Sequence, residues 1–342
     1  MVLPEGPALH GIRLAVRSWL REHGVDEVVV ALSGGADSLA LTAAAVAEAS
    51  QVLAVVVDHG LQEGSDLVAA SAAQTAREFG CRAAEVVTVN VSGSGGPEAS
   101  ARRARYAALD RARAGAPVLL GHTLDDQAET VVLGLGRGSG PRSIRGMASY
   151  DPPWGRPLLG VRRERTHAAC AELGVAPWED PHNSDPAYTR VRLRREVLPL
   201  LEDVLAGGVA EALARTAAQL REDGEVLDGW AADVLTAASR GSDLDFDDLD
   251  IGALEAVPSA VRRRVVRLWL LAGGATAVTA GQLQSVDDLV GRWRGQGEVA
   301  VAGRPEAGRD SAGRPEAGRD LFRLVVSRRH GRLTLGKSAA AL

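Results

Sequence analysis

Val28-Val29-Val30-Ala31-Leu32-Ser33-Gly34-Gly35-Ala36-Asp37-Ser38-Leu39-Ala40-Leu41 is the stretch on which the reading of this chain turns. Residues 28–32 are apolar and mostly β-branched, and a short run of this kind ending at a turn signal reads as a buried strand. The alanine-rich segment 39–49 reads as a helix. A strand that turns through two glycines into a helix presents successive backbone N–H groups at the positive end of the helix dipole, where an anion is held. Gly34 and Gly35 permit the tight turn and the close approach of a phosphate. The hydroxyls of Ser33 and Ser38 can donate to phosphate oxygens, with the Ala36 amide between them. Asp37 cannot favour a bare anion, so it implies a Mg²⁺ between its carboxylate and a pyrophosphate.

Two other phosphate loops are excluded. The pattern G-x-x-x-x-G-K-S/T needs a lysine at the phosphates, and Lys337 is the only lysine among the 39 basic residues. The dinucleotide pattern G-x-G-x-x-G does not follow this strand. The hexad 33–38 instead resembles the S-G-G-x-D-S loop of the ATP pyrophosphatases, enzymes that cleave ATP between its α- and β-phosphates to adenylate a substrate.

Working outward, strand-like and helix-like segments alternate at 52–58, 66–80, 83–89, 97–114, 118–121 and 123–135. That repetition predicts an α/β fold, a parallel sheet flanked by helices. In such sheets ligands lie beyond the carboxyl ends of the strands. Asp58, His59 and Gly60 stand at one such end and His122 at another. The helix-like segment after His122 carries Asp125, Asp126 and Glu129, spaced so that two carboxylates share a face. Acids in a first turn also serve as caps and dipole partners. Beside a pyrophosphate loop they suit capture of an ammonium, coordination of Mg²⁺ or acceptance of a proton from an attacking amine. His122 orients a substrate, titrates, or is structural.

Composition bounds the rest. The 342 residues, 46% of them hydrophobic, suffice for a sizeable core and two domains. No apolar run approaches the roughly 20 residues that cross a bilayer, and the start lacks a secretory pattern. A cytoplasmic protein with no membrane partner is expected. Cys81 and Cys170 stand far apart, which argues against a disulfide framework and against zinc or iron–sulfur ligation.

Further motifs follow in order: Val57-Asp58-His59-Gly60-Leu61, Glu98-Ala99, Ala101-Arg102, Ala104-Arg105-Tyr106, residues 122–130, Arg137-Gly138-Ser139-Gly140, Arg156-Pro157-Leu158-Leu159, Trp178-Glu179-Asp180-Pro181, Asn183, Asp185, Arg190 and Arg194. Together with the hexad they cover about the first 200 residues, and the chain resembles the tRNA(Ile)-lysidine synthetases of the PP-loop superfamily. It departs from their pattern at Val191, where asparagine is usual, and at His182, where serine is usual.

The resemblance implies an adenine nucleotide alpha hydrolase-like fold and a carbon–nitrogen ligase that joins lysine to C2 of the wobble cytidine of isoleucine tRNA. ATP and Mg²⁺ are the implied cofactors, and the anticodon region of the tRNA and L-lysine the implied partners. Asp37 would serve the metal and ATP, Arg102 or Arg105 the phosphates or the activated base, Asp58 the nucleotide, and His122, Asp126 and Glu129 the lysine side of the pocket. A homodimer is left open. Alternatives are a tRNA sulfurtransferase on the same fold and a noncatalytic RNA-binding protein.

RNA contact is sought at Arg137, Arg142 and Arg145, and at Arg190, Arg192, Arg194 and Arg195, because the guanidinium fork matches phosphate oxygens. Trp154, Trp178 and Tyr188 are candidates for base stacking or for packing. Residues 1–200 form the expected catalytic domain and 201–240 a helical linker bending at Gly207-Gly208. Residues 241–342 form a smaller, mainly helical, tRNA-contacting C-terminal domain ending in short strands near 299 and 324. Its segment 261–271 reads as an amphipathic helix whose arginines, Arg262, Arg263, Arg264 and Arg267, face tRNA or solvent. The nine residues 302–310 recur unchanged at 312–320, and such a Gly/Pro/charged copy reads as a flexible loop.

Overall fold

The structure, a computed structural model, describes residues 4, 6–60, 62, 64–90, 97–138, 140–181, 185–239, 248–303 and 322–339. His182, Asn183 and most of the tandem copy lie outside them. The chain divides into two compact units, residues 1–138 with 143–218 and residues 139–142 with 219–342.

The first unit is built on the run that opens it. Helix α1 (Pro7–His23) precedes strand β1 (Glu27–Leu32), whose residues 28–32 are all buried, as a central parallel strand requires. Helix α2 (Ala36–Glu48) follows, then β2 (Gln51–Asp58), α3 (Ser65–Phe79), β3 (Ala83–Thr88), α4 (Pro97–Ala112), β4 (Val118–Leu119), α5 (Leu124–Gly136), α6 (Pro141–Ile144), β5 (Tyr150–Asp151), β6 (Trp154–Gly155) and α7 (Arg163–Glu172). The sheet order is β3-β2-β1-β4-β6-β5, parallel throughout except for the β5–β6 edge pair. The expected α/β architecture is therefore present. Since the chain leaves β1 toward β2 on one side and reaches β4 on the other, the order reverses at β1, and a crevice opens at that switch point.

Helix α2 is buried continuously from Leu39 to Ala45. Alanine serves there because a helix covered on every side must let its neighbours approach closely. Helix α1 buries Leu9, Ile12, Val16, Trp19 and Leu20 at helical spacing. Its first-turn amides, Ala8 and Leu9, donate to the Glu172 carboxylate of α7 at 2.9 and 2.8 Å. Beyond α7 come the short α8 (Thr189–Arg192), a π-helical stretch Leu193–Val197, α9 (Leu198–Val204) and α10 (Val209–Ser239), inside which the boundary between the units falls.

The second unit holds α11 (Ile251–Glu255), α12 (Ser259–Ala272) and α13 (Ala280–Gly291), with β7 (Leu249–Asp250), β8 (Ala275–Ala277), β9 (Val299–Gly303), β10 (Phe322–Arg329) and β11 (Arg332–Ala339). These strands form an antiparallel sheet ordered β7-β11-β10-β9-β8. His330 and Gly331, at φ 48° and 79°, make the two-residue turn between β10 and β11, the geometry that a twisted hairpin favours. Lys337 is exposed on β11. On α12 the arginines are engaged within this unit. Arg262 donates to Asp287 at 2.5 Å, Arg263 to Gln284 at 2.9 Å, Arg264 to Asp228 at 3.0 Å and Arg267 to the Val278 carbonyl at 3.2 Å. Among the described residues no helix is long and apolar enough to cross a membrane.

Candidate active site

Three segments converge beyond the carboxyl ends of β1 and β4. The first is the loop after β1. Gly34 has φ 83°, where a side chain would be strained, and its carbonyl accepts from the Trp178 amide at 3.0 Å. The Ser33 amide donates to Ser38 Oγ at 3.1 Å, and that hydroxyl donates to the Gly35 carbonyl at 2.9 Å. Helix α2 begins at Ala36, three residues ahead of the apolar pattern, so Asp37 and Ser38 lie in its first turn. Amides of a first turn have no intrahelical acceptor and are available to an anion.

The second segment leaves β4. A Cβ on Gly121 would lie 3.1 Å from the Asp37 carbonyl and the Ser38 amide, a crowded contact that would push the chain and the nucleotide loop apart by a few tenths of an ångström. His122 follows, and Thr123 caps α5 in a reciprocal capping box with Asp126. Asp126 Oδ2 accepts from the Thr123 amide at 2.8 Å and from its hydroxyl at 2.9 Å, which leaves Oδ1 for other work.

The third segment is the start of α7. Arg163 Nε donates to Asp37 Oδ2 at 3.3 Å, Nη2 donates to Asp126 Oδ1 at 2.6 Å, and Nη1 lies 3.5 Å from Glu129 Oε1. The Arg163 amide donates to Asp125 Oδ2 at 2.7 Å, and Thr166 Oγ1 donates to Asp37 Oδ1. Glu129, fully buried, also accepts from Arg194 Nε at 2.7 Å and Nη2 at 3.2 Å.

A cleft of about 420 Å³ is lined by the loop, Arg105, His122, Asp126, Arg163, Trp178 and Arg195. A second cleft of about 250 Å³ shares Ala31, Ser33, Arg105, Trp178 and Asp180 as walls and runs along the ends of β1 and β2. Val55, Val57, Val68 and Leu109 make it the more apolar of the two. One space is thus lined for charge, and its neighbour more for an apolar group.

Electrostatics follow the burial. Burial raises the Asp37 carboxyl above the usual carboxylate range, against the lowering influence of Arg163 and Thr166. Asp126 is pushed the same way by burial, but Arg163 and the Thr123 amide bring it below that range. His122 is pushed down to about 3 by burial, reinforced by Arg105, Arg156 and Arg102 and opposed by Asp126. Its Nδ1 is buried without a partner, as is Nδ1 of His59. Arg163 is raised, because Asp126, Asp37 and Glu129 together outweigh its burial.

Of the residues expected from sequence, Ser33, Gly35, Ala36, Asp37, Ser38, Arg105, His122 and Asp126 line the charged cleft. Glu129 joins them through Arg163 and Arg194. Asp58 lines the apolar cleft, where its Oδ1 accepts from the Gly60 amide at 2.9 Å. Arg102 is among the linings of neither cleft; it is exposed on α4 and stacks 4.7 Å over the Tyr106 ring. Arg194, sought as an RNA contact, turns inward to Glu129, and Arg192 pairs with Glu196 at 2.8 Å. Trp154 packs edge-on against Tyr106, Trp178 lines both clefts, and Tyr188 is exposed. Sequence reasoning missed Arg163 and Thr166. The available signal was an arginine in the first turn of a helix, which opposes the helix dipole and is locally inconsistent unless acids compensate.

Comparison with known proteins matches the PP-loop domain family at residues 11–201 and the TilS substrate binding domain at residues 249–334. A tRNA(Ile)-lysidine synthase from Nocardia farcinica is 62% identical over 331 residues, covering 96% of this chain and 98% of its own. Another from Rhodococcus erythropolis is 60% identical over 338 residues and covers 98% of each chain. A U34-tRNA thiolase from Methanococcus maripaludis superposes with a TM-score of 0.51 at 18% identity, covering 63% of this chain and 80% of that one, a likeness of fold. With a nucleotide loop, an acid-bearing helix and this identity over nearly its whole length, the chain belongs to the tRNA(Ile)-lysidine synthase family.

Proposed function

We propose that this enzyme joins lysine to C2 of the wobble cytidine of isoleucine tRNA, converting ATP to AMP and pyrophosphate. The observation that carries the reading is a single crevice in which Arg163 ties the loop carboxylate Asp37 to the acidic helix residues Asp126 and Glu129.

In the first step the cytidine O2 attacks the α-phosphorus of ATP, the bond to the β-phosphate oxygen breaks, and pyrophosphate departs. The loop amides and the hydroxyls of Ser33 and Ser38 receive the phosphates, while the apolar cleft receives the adenine. Arg105 borders both clefts and offsets charge developing at the α-phosphate. Asp37 fits a Mg²⁺ held by one carboxylate plus substrate phosphates, since burial has already made its bare charge costly. Such an ion would neutralise the departing pyrophosphate.

In the second step the lysine ε-nitrogen bonds to C2, the C2–O2 bond breaks, and AMP leaves with that oxygen. An unperturbed lysine has a pKa near 10.4, roughly, so the amine arrives as an ammonium and must shed a proton before it attacks. Asp126 and Glu129 bind that ammonium, and one of these carboxylates accepts the proton it sheds. His122, neutral at physiological pH, lines the charged cleft and orients a substrate group there. Residues 241–342 provide the tRNA-contacting domain, residues 1–200 the catalysis, and the reaction takes place in the cytoplasm.

Sulfur insertion is disfavoured by the thiols. Burial pushes Cys81 up to about 12 and Cys170 up to about 11, so neither supplies a thiolate nucleophile. The deciding experiment incubates the full chain with unmodified isoleucine tRNA, lysine and ATP labelled at the α-phosphate. AMP released in step with lysine retained on the tRNA is expected. ATP turnover that needs sulfide instead of lysine, or no turnover at all, would overturn the reading.

A further inference from the structure

The acids assigned to lysine already have cations. Arg163 reaches Asp126 at 2.6 Å and Glu129 at 3.5 Å, and Arg194 reaches Glu129 at 2.7 Å and Asp126 at 3.5 Å. The side chains of Glu129 and Asp126 are only 0% and 13% exposed, so water does little to relieve an added charge there. With Arg190 Nη1 3.9 Å from Glu129 Oε2 as well, a lysine ammonium entering this arrangement meets three guanidinium groups and no unspent carboxylate. One of them must move.

Arg163 is the one that also touches the phosphate loop. Its third contact, to Asp37, is long at 3.3 Å and lies on the phosphate loop, in the same cleft that lines the anion site. A triphosphate there would present oxygens that match the guanidinium fork better than a single carboxylate oxygen does. Among the described residues, Arg194 pairs with Glu129 and Asp126 and Arg190 with Glu129, and neither forms an ion pair with the loop. We propose that Arg163 is a positioning residue that makes lysine wait for the nucleotide: it stands on Asp126 and Glu129 in the place of the ammonium until the phosphates of ATP draw it toward Asp37. This inference rests on the reaction assigned above. It makes lysine and ATP bind with positive coupling, and linkage requires the coupling to be reciprocal.

Equilibrium dialysis of radiolabelled lysine tests it, using the full chain with isoleucine tRNA, with and without Mg²⁺ and α,β-methylene ATP, which cannot be cleaved. The analogue is expected to tighten lysine binding by about 10-fold or more, and lysine to tighten binding of the analogue by the same factor. In Arg163→Gln, lysine should bind without the analogue, with the coupling reduced to less than about twofold; Arg163→Lys, which keeps the charge and loses the fork, should retain part of it. Equal lysine affinity in both wild-type arms overturns the proposal and leaves the ligase reading intact, and that comparison needs no variant to fold. Full coupling in Arg163→Gln removes the role from Arg163. Absence of lysine binding in every arm fails the ligase reading itself, and this inference with it.

Discussion

At the scale of single residues, the site holds groups whose charge is costly to bury. Asp37 is the clearest, since burial raises its carboxyl despite Arg163 and Thr166. A folded-state pKa above the unfolded value means that the charged form costs stability once the pH rises past it. Asp37→Asn should therefore be no less stable than wild type at pH 7 by chemical denaturation, while pyrophosphate release falls by about 10²-fold or more. Undiminished release would remove Asp37 from the metal and nucleotide. His122 has the opposite dependence. Its folded pKa of about 3 lies below the unfolded value, so the unfolded chain takes up a proton that the folded one refuses. Stability is complete above about pH 6.5 and drains as the pH falls toward 3. Between pH 7 and pH 5, His122→Asn should lose less unfolding free energy than wild type, by on the order of 1 kcal/mol; identical pH dependence would show that His122 is not held neutral. Asp37, His122, Asp126 and Glu129 were legible because each follows a strand end or starts a helix within a few residues of a recognisable turn. Arg163 was not, because its partners at 37, 126 and 129 are distant in sequence and meet it only when three segments fold together.

At the scale of elements, periodicity identified helices well and their partners poorly. The segment 261–271 lies within α12, as its pattern indicates. Its arginines read as a face for tRNA or solvent, yet Arg262 makes a nearly buried pair with Asp287 of α13, their side chains 12% and 6% exposed. Periodicity reports which side is apolar, whereas an ion pair between two helices depends on how they dock. Removing one member of a buried pair strands the other's charge. Asp287→Ala should cost about 3 kcal/mol of unfolding free energy, and Arg262→Met combined with Asp287→Leu should recover most of it. A loss below about 0.5 kcal/mol in the single variant would mean that the pair is effectively solvated. The start of α2 carries the same lesson in reverse. Apolar patterning begins at Leu39, but the helix begins at Ala36, because an anion loop gives its first turn to polar residues.

At the scale of the whole molecule, the two matched families fall one on each side of α10, PP-loop at residues 11–201 and substrate binding at 249–334. Hydrogen exchange on the full chain separates their tasks. Mg²⁺ with α,β-methylene ATP should slow exchange at 33–40, 121–128 and 163–167, and isoleucine tRNA should add protection within 249–334. If tRNA leaves 249–334 unchanged, that segment has no part in binding it. The near absence of lysine bears on the same chemistry. Lys337, exposed on β11, is the only side-chain primary amine in the chain. An adenylated cytidine is an electrophile for such amines, and a protein whose other 38 basic residues are arginines sets almost none of its own against the amino acid it must capture. Guanidinium groups, protonated at any physiological pH, supply the positive charge without becoming rival nucleophiles, which leaves Lys337 as the one side-chain amine able to compete.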